Sequence, residues 1–340
     1  MVSTNTLYTI GKYTLGATVS IPVVLAGALW VFQRRLIYPA DFPEGSRKNV
    51  PRPTDAGLPY EDVTITTPDN VRIKGYVIPA RRRVVPLESL RGLSPAQMRE
   101  LGKGENQAWE EIKDTEDAVE YVKSRPTIVM FHANAGNVGH RIPLARKFVS
   151  ELNCNVFMLS YRGYGLSEGT PSEPGIRIDA GAAMEFLSQH PLLKDTKFVL
   201  YGQSIGGAVC IDTAAAYPDM VSGVIVENTF LSLTSLVPHV MPVIPQPVVG
   251  LLLSDPWDAK KTLPLIPKAT PILFLSGRQD QLVPQAQMIA LRKLRGDGKH
   301  RWREFDGTHN DTYLAPDYWT QIDHWLKQEI ESEGEKEAKL

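Results

Sequence analysis

The sequence predicts an α/β fold, a mostly parallel β-sheet covered on both faces by helices. Three observations point there. The chain of 340 residues is 43% apolar and 22% charged, a globular composition with enough apolar side chain for a large core. From residue 127 onward, short strand-like runs at 127–131, 155–160, 197–201, 223–226, 272–275 and 302–305 alternate with helical patterns near 139–152, 174–189, 205–216, 285–295 and 313–331. Most of these runs are continuously apolar rather than alternating, as strands buried on both faces must be.

The same totals exclude several functions. Lys and Arg number 37 against 38 Asp and Glu, so the chain has no basic footprint for nucleic acid. Cys154 and Cys210 are too few for a disulfide scaffold. No H-E-x-x-H motif or Cys/His cluster has metal-ligand spacing, so neither a metal nor another cofactor is expected.

At the amino end, residues 1–12 read as a short flank. Tyr13 to Phe32 then runs twenty positions without a charge. As a helix this stretch would be about 30 Å long, the hydrocarbon thickness of a bilayer. Tyr8, Tyr13 and Trp30 lie near its ends, where aromatic rings favour the interface, and Arg34-Arg35 closes it. Residues 13–32 are read as a transmembrane anchor. A cleaved signal peptide ending near Ala26-Gly27-Ala28 is the competing reading, but the apolar run continues past that site to Phe32. The arginine pair favours a cytosolic body. The sequon Asn310-Asp311-Thr312 agrees, because a lumenal glycan there would crowd a functional histidine, His309, discussed below. A single-pass protein of the endoplasmic reticulum, another endomembrane or the plasma membrane is expected.

Residues 33–58, with several prolines and mixed charge, read as a juxtamembrane connector. Runs at 61–66 and 71–78, joined through Pro68-Asp69-Asn70, predict a β-hairpin. Residues 81–125 interrupt the pattern: 18 of these 45 are charged, as in a solvated surface insertion. The folded domain is expected over 59–331, and residues 332–340 form a charged tail.

The chemistry concentrates after the run at 197–201. Gly202-Gln203-Ser204-Ile205-Gly206 fits G-x-S-x-G, and a small, apolar helical pattern follows it. Strand, glycine-flanked serine and helix make a nucleophile elbow, a strained turn that lifts the serine hydroxyl above the sheet and is tolerated because glycine leaves room beside it. This context specifies an α/β-hydrolase fold. A serine hydroxyl is a weak nucleophile and needs a base held by an acid, which follow in the order Ser, Asp, His. Asp280 lies beyond the run at 272–275 and His309 beyond the run at 302–305. His309 is expected to take the proton of Ser204, with Asp280 fixing its tautomer. Asp306 and Asp311 are alternative acids on the histidine's own loop, and His324 falls in a helical pattern. The oxyanion needs backbone donors: Ile205, directly after the nucleophile, and Asn134, in the loop His132-Ala133-Asn134-Ala135-Gly136, with Ala133 as the alternative.

HANAGNVGHRIPLA, YRGYGLSEG, GQSIGGAV, ENTFLS, SGRQDQLVP and GTHND, in that order, resemble the bud-emergence family of membrane-anchored α/β-hydrolases. They are similar also to animal α/β-hydrolase domain-containing protein thirteen. The resemblance runs from about Leu29 to about Leu326. It implies an α/β-hydrolase fold and a catalytic triad carried here onto Ser204, Asp280 and His309. Two departures stand out. Ala133 replaces a glycine in the family's His-Gly-Asn loop, and the 81–125 insertion is longer than the animal pattern, as in a fungal member.

Between Leu231 and Leu253 there is no Lys, Arg, Asp or Glu. A second membrane span there would separate Ser204 from Asp280 and His309, and Pro238, Pro242, Pro245 and Pro247 oppose a continuous helix. Residues 231–258 are read instead as a short apolar cap that lines a pocket for an acyl chain, the alternative being an ordinary buried connection. The expected function is a membrane-anchored serine hydrolase acting on ester or thioester bonds at the surface of a lipid bilayer, in lipids or S-acylated proteins. A peptidase or acyltransferase on the same triad, and a non-catalytic scaffold, are the alternatives.

Overall fold

The computed structural model describes residues 30–82, 115–242 and 246–332, together with positions 27, 94 and 97. Most of the expected anchor, most of the charged insertion and the 333–340 part of the tail lie outside the described residues. Among the described residues, no helix is long and apolar enough to cross a membrane.

Eight strands form one sheet in the order β1-β2-β4-β3-β5-β6-β7-β8. The expected hairpin is β1 (Glu61–Thr66) and β2 (Arg72–Ile78), and β2 pairs antiparallel with β4 (Asn155–Ser160). The remaining pairings are parallel, through β3 (Thr127–Phe131), β5 (Phe198–Gln203), β6 (Val221–Glu227), β7 (Ile272–Gly277) and β8 (His300–Phe305). Besides a leading helix at 30–37 and one turn at Ala259–Thr262, the α-helices among the described residues are α1 (Glu116–Ser124), α2 (Ile142–Ser150), α3 (Glu173–Gln189), α4 (Ile205–Ala216), α5 (Leu233–Val240), α6 (Gln246–Leu252), α7 (Gln285–Arg295) and α8 (Tyr318–Trp325).

The period of two along each strand splits the core into two layers. Val129, Phe131, Leu200 and Val224 face one layer, with Met184 of α3 and Val209 of α4. Ile128, Met130, Val199 and Ile225 face the other, with Phe148 of α2 and Trp325 of α8. Strands β3, β4, β5 and β7 therefore bury every residue, which is why their sequences are mostly apolar on both faces.

Three expectations change in detail. The helical pattern at 313–331 breaks into a turn, α8 and a wider helical segment Leu326–Glu331. Pro316 is the reason: it disfavours helical backbone at Ala315, which is extended with ψ 146°. The pattern at 139–152 becomes a 3₁₀ turn, Val138–Arg141, before α2, whose first turn holds Pro143. The connector at 33–58 is part of the folded body rather than a free tether. Tyr38 and Leu58 are buried, and Asn137 Nδ2 donates to the carbonyls of Ser46 (2.9 Å) and Asn49 (3.0 Å).

The charged insertion leaves and rejoins the fold at one place. Asn155, fully buried at the start of β4, accepts from Ala80 N (2.8 Å) and donates to the carbonyls of Val122 (2.9 Å) and Arg125 (3.0 Å). Its last part is only partly solvated: α1 is largely exposed but buries Val122 against the core. Both roots lie at the amino ends of the parallel strands, the edge of the sheet opposite Ser204. Asn155→Ala leaves three buried backbone groups without these partners. It should lower unfolding free energy by about 2–4 kcal/mol, read from the urea midpoint, with little change in activity of the folded fraction.

Candidate active site

Ser204 sits at the carboxyl end of β5 and at the start of α4, with φ 57° and ψ −123°. That backbone is strained for a residue with a Cβ, by about 1–3 kcal/mol, and persists only where neighbours hold it. Ser204 N donates to Glu227 O (2.9 Å), and Ser204 O accepts from Thr229 Oγ1 (2.6 Å). The flanking glycines are required by space: a Cβ on Gly202 would lie 2.2 Å from Gly206 O, and one on Gly206 would lie 2.1 Å from Phe131 O. The positive end of the α4 dipole is thereby directed at the serine.

Asp280 and His309 come from different loops and meet. Asp280 Oδ1 accepts from the backbone N–H groups of Leu282 (2.9 Å) and Val283 (2.8 Å), which leaves Oδ2 to His309 Nδ1 at 2.7 Å. A carboxylate only accepts, so Nδ1 carries a proton, and in the neutral ring Nε2 keeps its lone pair. The competing acids face elsewhere: Asp306 pairs with Arg278 (2.9 Å) and Asp311 accepts from Thr308 N (2.5 Å). A histidine oriented in this way can relay a proton from a serine hydroxyl.

The loop after β3 is also held from below. Tyr161 Oη donates to His132 O (3.1 Å) and Tyr164 Oη to Asn134 O (2.8 Å). The His132 ring lies against both tyrosines, and burial pulls its pKa down to about 3, so it is a neutral packing group. Asn134, Ile205 and Ser204 line one cavity of about 350 Å³. Ala133, the alternative donor, lines a separate small void behind it. The walls of the Ser204 cavity are apolar: Leu233 and Leu236 of α5, Val249 and Leu252 of α6, and Ile37 and Leu36 from the segment expected as a connector. Helices α5 and α6, from the expected cap, thus line the same cavity as Ser204. A larger open groove elsewhere, beside Arg177 and Asp212, holds none of these residues, and its arginine is already paired with Glu173 and Asp212.

Two positioning side chains were not expected from the sequence. Asn228, buried and in the left-handed region (φ 44°), donates from Nδ2 to Thr308 O (3.2 Å), His309 O (3.3 Å) and Thr312 Oγ1 (2.9 Å). Its Oδ1 accepts from Gly277 N (2.7 Å) at the end of β7. Gln203, expected only as an elbow residue, donates from Nε2 to His309 O (2.5 Å). The available signal was position: Asn228 is a polar residue directly after an apolar strand, at the carboxyl edge that carries the site.

Among the described residues, no group of three or more His, Cys, Asp or Glu side chains is arranged to hold a metal. Comparison with known proteins agrees with this architecture. A family model described as alpha/beta hydrolase fold matches residues 126–264. Protein bem46 of Schizosaccharomyces pombe is 38% identical over 325 residues, covering 95% of each chain. The chain is a member of the bud-emergence family of α/β-hydrolases. Another relative, named as an uncharacterised membrane protein of Saccharomyces cerevisiae, is 32% identical over 94% of this chain and 98% of its own. Among solved structures, an esterase of Pyrococcus furiosus superposes with TM-score 0.60 at 17% identity, over 82% of this chain and 94% of its own, a likeness of fold.

In this bud-emergence protein, Asn228→Asp preserves shape but turns a donating amide into an acceptor facing two carbonyls. Labelling of the chain by a fluorophosphonate, and kcat for a short ester, should fall about ten- to a hundredfold, with KM within about twofold. Stopped assays of both on the folded variant check this.

Proposed function

We propose that this protein is a membrane-anchored serine hydrolase that cleaves carboxylic ester or thioester bonds through an acyl-enzyme on Ser204. The observation that carries the reading is the 2.7 Å contact between His309 Nδ1 and Asp280 Oδ2, docked through Gln203 beside the strained Ser204 elbow. Ser204 Oγ attacks the acyl carbonyl while His309 Nε2 takes its proton. The resulting oxyanion is bound by the backbone N–H groups of Ile205 and Asn134. His309 then protonates the departing alcohol or thiol. Water, deprotonated by the same nitrogen, releases the carboxylic acid and restores Ser204.

The substrate class follows from the cavity. Its walls carry leucine, valine and isoleucine rather than charge, and its volume of about 350 Å³ suits an extended acyl chain. Lipid esters and S-acylated protein tails both present such a chain at a bilayer. The twenty charge-free residues from Tyr13 to Phe32 would hold the enzyme there, with Arg34-Arg35 on the cytosolic side. A relative named as a membrane protein is consistent with that placement.

Activity-based labelling with a fluorophosphonate tests the nucleophile. Wild type should label and Ser204→Ala should not, with hydrolysis reduced at least about a thousandfold. Equal labelling of both would remove Ser204 from the role. Across a series of p-nitrophenyl esters, kcat/KM should rise with acyl length from acetate until the cavity is filled. A maximum at acetate would defeat the acyl-pocket assignment.

A further inference from the structure

The wall of the Ser204 cavity nearest the amino terminus is helical over residues 30–37, which take in the last three residues of the charge-free run. This leading helix is clamped to the end of the cap. Gln33, buried, donates to Leu252 O (3.0 Å) and accepts from Ser254 N (2.8 Å). Arg34 pairs with buried Asp255 (3.5 Å), and Trp257 Nε1 donates to Tyr38 Oη (2.9 Å).

Around the same cavity the protein exposes apolar side chains. Leu36 (59% exposed), Val240 (54%) and Met241 (37%) line it and face outward at once. Leu251, beside the cavity-lining Leu252, is 84% exposed, and Trp30 and Phe32 stand exposed on the leading helix. Clustered exposed apolar side chains mark a surface that binds something apolar.

We infer that this rim docks into the lipid bilayer, so that the acyl chain of a membrane-resident substrate passes laterally from the leaflet into the Ser204 cavity. The inference rests on the serine-hydrolase reading for the fate of the chain, but the docking itself does not. The occupant is identified by where the chain comes from. Leu36 lies four residues beyond Phe32, about 6 Å along a helix, so the cavity mouth sits at the end of the apolar run. The clamp at Gln33, Arg34 and Tyr38 keeps it there. The cap side of the rim suits lipid too: residues 231–254 contain no Lys, Arg, Asp or Glu, and His239 is their one titratable side chain. Arg35, exposed beside the rim, faces the headgroup phosphates.

The test uses the full chain reconstituted in phosphatidylcholine vesicles. Cys154 and Cys210 are buried, so Leu251→Cys can be labelled selectively with an environment-sensitive NBD fluorophore. Its emission should shift to the blue and be quenched by doxyl-labelled lipid. Lys268→Cys, on an exposed residue before the amino end of β7, should show neither effect. An unquenched label at 251 overturns the proposal, whether water, another protein or a second copy faces the rim.

A second arm reads the consequence. Leu251→Glu should lower the rate on a long-chain umbelliferyl ester dissolved in the vesicles at least tenfold, while p-nitrophenyl acetate turnover stays within twofold. Equal losses on both substrates, or on neither, overturn lateral delivery. Quenching at 251 with no turnover of either ester by the wild type would defeat the hydrolase reading while docking stands. Turnover without quenching would do the reverse.

Discussion

Ser204 holds φ 57° because the atoms on both sides of it are pinned, and the pinning depends on how closely α4 approaches the sheet. Gly206 lets the helix backbone lie against Phe131 O, where any side chain would collide, and Gly207 does the same against Thr229. That approach brings the amino terminus of α4 beside the loop after β3. Ile205 and Asn134, from distant parts of the chain, therefore come to line one cavity. Were α4 displaced outward by a methyl group, the serine would relax and the loop would lose its neighbour. The small residues of this helix serve that geometry first and core volume second.

His309 has a longer distance to cover. β8, which precedes the His309 loop, lies three strands from β5 in the sheet, or about 14 Å at ordinary strand spacing. The loop must return over the carboxyl edge, and a bare loop would do so with many conformations. Asn228, directly after β6, ties Thr308, His309 and Thr312 to Gly277, while Gln203 donates to the His309 carbonyl. The Ser204 elbow, the end of β7 and the His309 loop are thus joined through backbone groups. The contact of His309 with Asp280 is left to orient the ring.

Above this edge, the cap and the leading helix form a single apolar unit. Asp255 links them, since its carboxylate meets both Arg34 and the amino end of α3 through Glu173 N (3.1 Å). Burial of that carboxylate is tolerated because donors reach it from two directions. The stretch around Gln33 and Arg34 is therefore part of the wall beside Ser204 rather than a loose tether.

Much of the fold was legible because buried parallel strands and amphipathic helices leave local patterns. The strand order of polarity, the elbow glycines and the sequence Ser204, Asp280, His309 all follow from short-range rules. The break at Pro316 was local too, and was smoothed over by an apolar pattern that continued on both sides of it. Local residue order alone set which side-chain types stand at the strand ends and the charge-free character of the two segments around them. The tertiary structure alone decided that residues 33–58 pack on the body, that Asn228 and Gln203 hold the histidine loop, and that the leading helix walls the cavity. Those features rest on hydrogen bonds and contacts between residues as far apart as Gln33 and Ser254. Such contacts impose no periodicity on either partner, so only the folded chain brings them into view.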